Sequence, residues 1–137
     1  LICEYWGKNR VYHHTAPVNM LYGLYQALYL ILQEGTDKVF ARHRESHEAL
    51  VAGLEGMGLT MLVEKPFRLP MLNTVYSPVG VDELSVRKKL RSEYKIEIGG
   101  GLGPLAGKIW RIGLMGHTAR MENVSRFLVA LRTTLGK

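Results

Sequence analysis

The chain has 137 residues, a formal net charge of +6 and a single cysteine, Cys3. This length fits one domain that buries roughly two thirds of its unfolded surface, and one cysteine excludes an internal disulfide and favours a reducing compartment. The longest apolar run, residues 20–32, is interrupted by Gly23 and Gln26 and is shorter than the about 20 residues of a membrane span, so no membrane association is predicted.

The first strong pattern is a helix that follows Pro17. Thr15 and Pro17 can cap and start it, and Gly35 can end it. Residues 18–33 are apolar on nearly every side, so this helix is predicted to be buried all round. Thr36 and Asp37 can then cap a second helix.

The second predicted helix runs to about residue 57. Its apolar stripe has alternating spacings of three and four: Phe40, His43, His47, Leu50, Leu54 and Met57. Two histidines four residues apart can bind one metal ion. However, the residues between them do not match the zinc-protease order, and the sequence shows no further ligands for such a site. The pattern favours histidines at the core edge and no metal site.

The rest of the chain alternates strands and helices. Short strands are predicted over residues 59–63, 71–76, 96–98 and 109–114. A helix capped by Asp82 lies between the second and third strands, and a last helix is capped by Thr118, with Val124, Phe127, Leu128 and Leu131 as its core stripe. This order predicts an α+β domain with a small, mostly antiparallel sheet covered on one side. Residues 1–34 are interpreted as a connector with a long helix and residues 35–137 as the compact domain.

The densest positive cluster lies on the helix that Asp82 caps. It reads Arg87-Lys88-Lys89-Leu90-Arg91, with Leu84 and Leu90 as apolar anchors and Glu83 four residues before Arg87. No aromatic residues interleave with these charges, as a nucleic-acid surface would require. The cluster therefore indicates a solvated helix face and no nucleic-acid partner.

Two later features point to a site. The stretch Gly99-Gly100-Gly101-Leu102-Gly103-Pro104 lets backbone approach a neighbour closely, but a proline and a strand follow it, which does not fit a dinucleotide or phosphate-binding loop. Arg111 stands alone inside the apolar strand 109–114. A buried guanidinium keeps its charge, so it needs either a protein carboxylate or an anionic ligand.

A third segment, Tyr12-His13-His14-Thr15-Ala16-Pro17, has no Ser or Cys nucleophile in a recognisable setting. Taken alone it indicates a polar turn before a helix. Taken with the glycine stretch and with Gly107-Lys108-Ile109-Trp110-Arg111-Ile112-Gly113-Leu114-Met115-Gly116, in this order and approximate spacing, it resembles the C-terminal portion of alanine–glyoxylate and serine–pyruvate aminotransferases. These are class V, fold-type-I enzymes that depend on pyridoxal 5′-phosphate (PLP).

The resemblance implies the small C-terminal domain of a homodimeric PLP-dependent aminotransferase. It implies that Arg111 holds the substrate α-carboxylate and that Tyr12 and Thr15 bind the cofactor phosphate of the neighbouring subunit. A guanidinium fork matches a carboxylate, and hydroxyl donors suit a phosphate. The implied reaction moves an amino group from a small amino acid, alanine or serine, to glyoxylate or another 2-oxo acid.

The resemblance also implies what lies outside this chain. The lysine that binds the cofactor belongs to a large N-terminal domain upstream, so no catalytic residue is assigned here and Lys108 is not given that role. The start at Leu1 favours a piece of a longer protein, and the end at Lys137 shows no targeting signal, so a cytoplasmic location is expected. The alternatives are a ureidoglycine–glyoxylate aminotransferase, a cysteine desulfurase, for which Cys3 stands at the wrong end, and a non-catalytic interaction module.

Overall fold

The structure is a computed structural model that describes residues 2–9 and 11–136, with only the backbone of Ile2. Leu1 and Lys137, on which the expectations about a longer protein and a targeting signal rest, lie outside the described residues, as does Arg10. The chain divides into two compact units, Leu1–Thr36 and Asp37–Lys137. Among the described helices, none has the length and apolar character needed to cross a membrane.

The first unit contains two helices, α1 (Ile2–Tyr5) and α2 (Val18–Glu34). Gly35 ends α2 as predicted: its φ is 87°, in the region that favours glycine, and its N–H donates to the Ile31 carbonyl at 2.9 Å. The predicted cap is wrong. Pro17, whose side chain has no hydrogen-bonding atom, holds the cap position, and the Thr15 hydroxyl is hydrogen-bonded to the Tyr12 hydroxyl.

The prediction that α2 is buried all round is not met by packing within this chain. None of its side chains is buried, and Ile31, the least exposed of its large apolar side chains, is 40% exposed. A helix that is apolar on every side needs protein on every side, because water penalises each exposed apolar face. The apolar pattern of α2 therefore indicates packing partners that this chain does not contain.

The second unit is built around a three-stranded antiparallel sheet. Its elements, in chain order, are α3 (Thr36–Gly56), which begins at the boundary, β1 (Leu72–Tyr76), α4 (Glu83–Tyr94), β2 (Gly99–Gly100), β3 (Ile109–Gly113) and α5 (Met121–Thr134). The strand order is β1-β3-β2, so β3 is central. Over residues 2–9 and 11–136 the chain thus has five α-helices and three strands, which confirms the predicted α+β class.

Two predicted strands do not form regular strands. Residues 59–63 run beside β1, where Leu62 N–H donates to the Thr74 carbonyl at 3.0 Å, but only Met61 makes a bridge, to Val75. Residues 96–98 precede the ladder, which begins at Gly99. The apolar pattern located both segments correctly next to the sheet, but hydrogen bonding, which defines a strand, starts later or stays incomplete.

The core lies between one face of the sheet and three helices. Trp110 is fully buried, and it packs in one cluster with residues of α3, α4 and α5 such as Leu50, Leu90 and Leu131. Two predicted core positions are wrong: Phe40 is 65% and Leu84 is 42% exposed. Further buried apolar residues of this cluster are Leu54, Val75, Val86, Ile112, Val124, Phe127 and Ala130.

The ends of α4 and α5 follow different rules. Asp82 caps α4 as predicted, since its carboxylate accepts from the backbone N–H groups of Leu84 and Ser85 at 3.2 Å each. The hydrogen bond from the Ser85 hydroxyl lowers the pKa of Asp82 below its usual value, so the cap stays charged to a lower pH than a free aspartate would. Thr118 does not cap α5; its hydroxyl bonds to the backbone of Met115 within a short turn, and α5 begins three residues later.

The exposed face of α2 generates the first prediction. We expect the purified chain to bind a hydrophobic dye strongly or to self-associate, since a continuous apolar surface of this kind normally marks an interface. Leu21→Gln with Leu28→Gln should reduce dye fluorescence and shift sedimentation towards the monomer. Leu84→Gln, which alters an isolated exposed leucine on α4, serves as the control. A dye-silent monomer over a wide concentration range would contradict the prediction.

Candidate functional site

Arg111 lies on the central strand, on the sheet face opposite the one that packs against α3, α4 and α5. Along β3 the side chains alternate, so Trp110 and Ile112 enter the core and Arg111 points to the opposite face. In the ladder Arg111 is paired with Thr74 of β1 on one side and with Gly99 of β2 on the other. The arginine is half-buried and stands between a short hydroxyl side chain and bare backbone.

The glycine pair of β2 sets the orientation of this arginine. Arg111 Nε donates to the Gly100 carbonyl at 2.7 Å. A Cβ atom on Gly99 would lie 3.3 Å from Arg111 Nη2, so the guanidinium packs directly against the strand. With Nε bonded, the four N–H donors on the two Nη atoms form the open end of the fork.

Arg111 has no acidic partner in the part of the chain that the structure describes. Among the residues that the structure describes, no Asp or Glu oxygen lies within 4.0 Å of its guanidinium. Of the two partners that the sequence left open, a protein carboxylate is therefore absent from the described part of the chain. A half-buried cation with an open fork and no counter-charge suits an anionic ligand.

The glycine stretch forms a tight wall that returns the chain to β3. A Cβ on Gly101 would collide with the Leu105 carbonyl, which leaves room only for glycine. Gly103 has φ 52° and opens a three-residue turn, Gly103–Leu105. Because this turn leads into a strand and not into a helix, it lacks the helix N-terminus with which dinucleotide-binding and phosphate-binding loops hold phosphate.

Tyr12 and Thr15 form a small polar cluster in the first unit. Their hydroxyl oxygens lie 2.9 Å apart, and both side chains are exposed. The intervening histidines contact each other through their Nδ1 atoms at 2.9 Å, and His14 stacks on Tyr5 with 5.2 Å between ring centroids. The structure thus brings Tyr12 and Thr15 together as one pair of hydroxyl groups, while Arg111 belongs to the second unit.

The two histidines of α3 are occupied in hydrogen bonds. His43 Nδ1 donates to the Val39 carbonyl at 2.7 Å and its Nε2 accepts the Gly116 N–H at 3.1 Å. His47 Nδ1 donates at 2.6 Å to Oδ1 of Asn73, which is itself buried. Both histidines are half-buried at the core edge, and no set of three potential metal ligands occurs within residues 2–9 and 11–136.

Sequence reasoning missed two groups that support the site. Arg42 donates to the carbonyls of Gly116 and Ala119, which ties the loop after β3 to α3. Arg87, interpreted as part of a solvated face, instead forms a two-bond ion pair with the buried carboxylate of Glu83. The spacing of four residues between Glu83 and Arg87 carried a signal for that pair, but nothing in it indicated burial.

A cavity of about 240 Å³ lies on the helix side of the sheet. Segment 95–98, the end of β3 and the first turns of α5 line it, with mainly apolar side chains such as Ile96, Ile98 and Phe127. Arg111 does not line it. The cavity is therefore separate from the arginine on the open face of the sheet.

The fold matches the small domain of fold-type-I aminotransferases. The crystal structure of an alanine–glyoxylate aminotransferase from Nostoc sp. superposes with a TM-score of 0.89 at 51% identity, over 98% of this chain and 36% of that one. No protein-family model matches the chain. The match nonetheless covers nearly every residue described above.

Two curated relatives give the same result. The (S)-ureidoglycine–glyoxylate transaminase of Bacillus subtilis (strain 168) is 43% identical over 132 residues, which is 96% of this chain and 32% of the relative. The alanine–glyoxylate aminotransferase of Felis catus is 44% identical over 130 residues, 94% of this chain and 31% of the relative. The chain belongs to this family, the class V aminotransferases, and matches its C-terminal portion. It spans about a third of the length of these relatives, and the family is PLP-dependent.

The glycine wall generates the second prediction. Gly101→Ala should lower the free energy of unfolding by about 2 kcal/mol or more, because the added methyl group meets a backbone carbonyl that cannot rotate away. Gly56→Ala is the matched control: it adds the same atom at the end of α3 where nothing lies within 4 Å, and it should be neutral or stabilising. Urea unfolding followed by circular dichroism compares them. Equal stability of the two variants would contradict this account of the loop.

Proposed function

We propose that this chain is the C-terminal part of a PLP-dependent aminotransferase that moves an amino group from a small amino acid, alanine or serine, to glyoxylate or another 2-oxo acid. The observation that carries the proposal is Arg111, a half-buried guanidinium with its Nε bonded to Gly100 and no acidic partner among the described residues. Such a fork binds one carboxylate end-on with two parallel hydrogen bonds. Every amino acid and 2-oxo acid that takes part in the reaction carries that carboxylate.

The named activities of the relatives narrow the substrate class. Both curated relatives and the Nostoc sp. structure are named for glyoxylate as the amino acceptor, while their donors differ. Identities of 43% and 44% to relatives with different donors do not separate alanine or serine from (S)-ureidoglycine. We therefore propose glyoxylate as the shared acceptor, with the ureidoglycine donor as the alternative.

The hydroxyl pair of Tyr12 and Thr15 fits the phosphate group of PLP. Both hydroxyls are exposed to solvent, and when the 2.9 Å hydrogen bond between them is exchanged for the ligand, each can donate to one phosphate oxygen. When bound, PLP supplies the electron sink for reactions at the amino-acid Cα. In the proposed homodimer, Tyr12 and Thr15 serve the cofactor of the neighbouring subunit, and two-fold symmetry gives two equivalent sites.

The remaining parts of the active site belong to the large domain that the resemblance implies upstream. The lysine that binds the cofactor is proposed to lie there, so the chain by itself contributes substrate and phosphate contacts only. A non-catalytic module is the alternative from another class. It would leave the open fork of Arg111 without an anion to bind, which is why the enzyme is favoured.

The reaction is tested on the complete protein that contains this chain. Purified enzyme with PLP should convert glyoxylate to glycine with alanine or serine as donor. Chromatography of the products measures the conversion. Activity with (S)-ureidoglycine and none with alanine or serine would support the alternative donor. Absence of transfer from all three donors to glyoxylate, pyruvate and other 2-oxo acids, in a folded protein loaded with PLP, would refute the proposal.

The third prediction concerns the hydroxyl pair. In the complete enzyme, Tyr12→Phe and Thr15→Ala should each weaken PLP retention by about 1–2 kcal/mol, roughly 5- to 30-fold, the scale of a hydrogen bond lost to a charged group. Equilibrium dialysis against free PLP measures the change. Thr15→Ser keeps a hydroxyl and should retain most of the affinity, and Ser92→Ala, which removes an exposed hydroxyl on α4, should have no effect. Unchanged affinity in both test variants removes the assignment.

The fourth prediction concerns the arginine. Arg111→Lys keeps the charge and loses the planar fork, so kcat/KM should fall by about 1.5–3 kcal/mol, roughly 10- to 150-fold, for every amino and 2-oxo acid. The thermal midpoint and the PLP absorbance spectrum should change little. Arg91→Lys, on an exposed part of α4, should leave the kinetics unchanged. Unfolding of Arg111→Lys without a selective kinetic loss would identify Arg111 as a structural residue instead.

A further inference from the structure

The open fork of Arg111 depends on a strand that is weak by itself. β2 has two residues, both glycine, and lies at the edge of the sheet. Glycine loses the most conformational freedom when it is ordered, and two ladder positions give few hydrogen bonds in return. Something outside the ladder must hold Gly99 and Gly100 in place if the Gly100 carbonyl is to fix Arg111.

Arg87 of α4 occupies the opposite side of this strand. A Cβ on Gly100 would lie 3.0 Å from Arg87 Nη2 and 3.2 Å from its Cζ, so the Arg87 guanidinium packs on the Gly100 backbone. Successive residues of a strand face opposite sides, which is why Gly99 meets Arg111 and Gly100 meets Arg87. The two guanidinium groups thus enclose the glycine pair from its two faces.

The Arg87 guanidinium is itself held by Glu83. Arg87 Nε donates to Glu83 Oε2 at 2.7 Å and Nη2 donates to Oε1 at 3.1 Å, which fixes the plane of the fork. The Glu83 residue is 7% exposed, and its backbone carbonyl accepts from Trp110 Nε1 at 3.2 Å. Because Trp110 is the ladder partner of Gly100, the contacts close a ring from α4 through β3 and β2 back to α4.

The two arginines of this ring differ in whether an acidic side chain balances their charge. Glu83 balances the charge of Arg87 and raises the pKa of Arg87 further, so Arg87 packs against the strand as one half of an ion pair. Arg111, on the other face, has no acidic partner within the described residues. The positive charge available to an anion is therefore that of Arg111, although two arginines flank the strand.

We propose that the Glu83–Arg87 ion pair is the positioning element of Arg111: it holds the Gly99–Gly100 strand where the Gly100 carbonyl aims the Arg111 fork at the substrate carboxylate. This inference rests on the proposed function of Arg111. Neither Glu83 nor Arg87 contacts substrate in this scheme. Their effect reaches the substrate only through the backbone of the glycine pair.

The test uses the complete enzyme with Glu83→Met and Arg87→Met combined, because removing one partner alone leaves a buried charge unpaired. The double variant keeps apolar bulk against β2 but loses the fixed fork. KM for the amino acid and for the 2-oxo acid should both rise about 10-fold with kcat nearly unchanged, as for lost binding shared by ground and transition states. The inhibition constant of propionate, a probe with only a carboxylate, should rise by the same factor. Lys88→Met on exposed α4 is the control.

A combined variant separates positioning from general damage. Added to Arg111→Lys, the double methionine change should raise KM no further, because the fork it orients is already gone. A multiplicative effect of the two changes would overturn the inference, as would an unchanged KM and propionate constant in a folded double variant. If the double variant unfolds, Arg87→Lys replaces it, because lysine keeps the charge and loses the planar contact with Gly100. The same changes in KM and in the propionate constant then decide the inference.

The outcome also distinguishes this inference from the proposed function. A 10- to 150-fold loss in Arg111→Lys, taken with normal kinetics in the Glu83 and Arg87 variants, refutes only the positioning role. Normal carboxylate binding in Arg111→Lys refutes the proposed role of Arg111, and the positioning role falls with it. The proposed reaction itself is refuted only if the complete protein transfers no amino group.

Discussion

The hydrogen bond from Arg111 Nε to the Gly100 carbonyl is the interaction on which the rest of the site depends. A guanidinium has five N–H donors and a permanent charge, so a free arginine on a sheet would sample many orientations. Occupying Nε with a backbone carbonyl removes most of that freedom and leaves one pair of donors in a fixed direction. The absence of side chains at Gly99 and Gly100 is what allows this contact, because backbone can approach the guanidinium directly.

One strand serves both stability and chemistry. The side chains of Trp110 and Ile112 lie in the core, and that of Arg111 lies on the opposite face, so adjacent residues of β3 have different roles. Trp110 also links the core to α4 through the Glu83 carbonyl. The five residues of β3 thereby contact the helices, the rest of the sheet and the site. Displacement of β3 would affect both folding and the position of Arg111.

Much of the fold was predictable from local patterns. The glycine that ends α2 and the aspartate that caps α4 act through their own backbone neighbours, and the structure confirms both. Phe40 and Leu84 were predicted to be buried and are exposed, because spacing identifies a helix face but not how far neighbouring elements extend over it. The isolated Arg111 and the glycine run identified a candidate site. The burial of the Glu83–Arg87 pair was not predicted, since burial is a property of tertiary packing. The same sequence of residues is equally compatible with a solvated helix face.

The glycine strand also determines on which side of Arg111 the neighbouring side chains can vary. On the β2 side of Arg111 the surface is backbone, and each added atom would press on a guanidinium, so that side offers no room for variation. On the β1 side the arginine faces Thr74, and Tyr76 lies two residues further along the same face. Larger or smaller side chains at these β1 positions would not meet the Gly100 carbonyl, which accepts from Arg111 on the other side. Changes of side chain are therefore expected to be tolerated more readily on β1 than on β2.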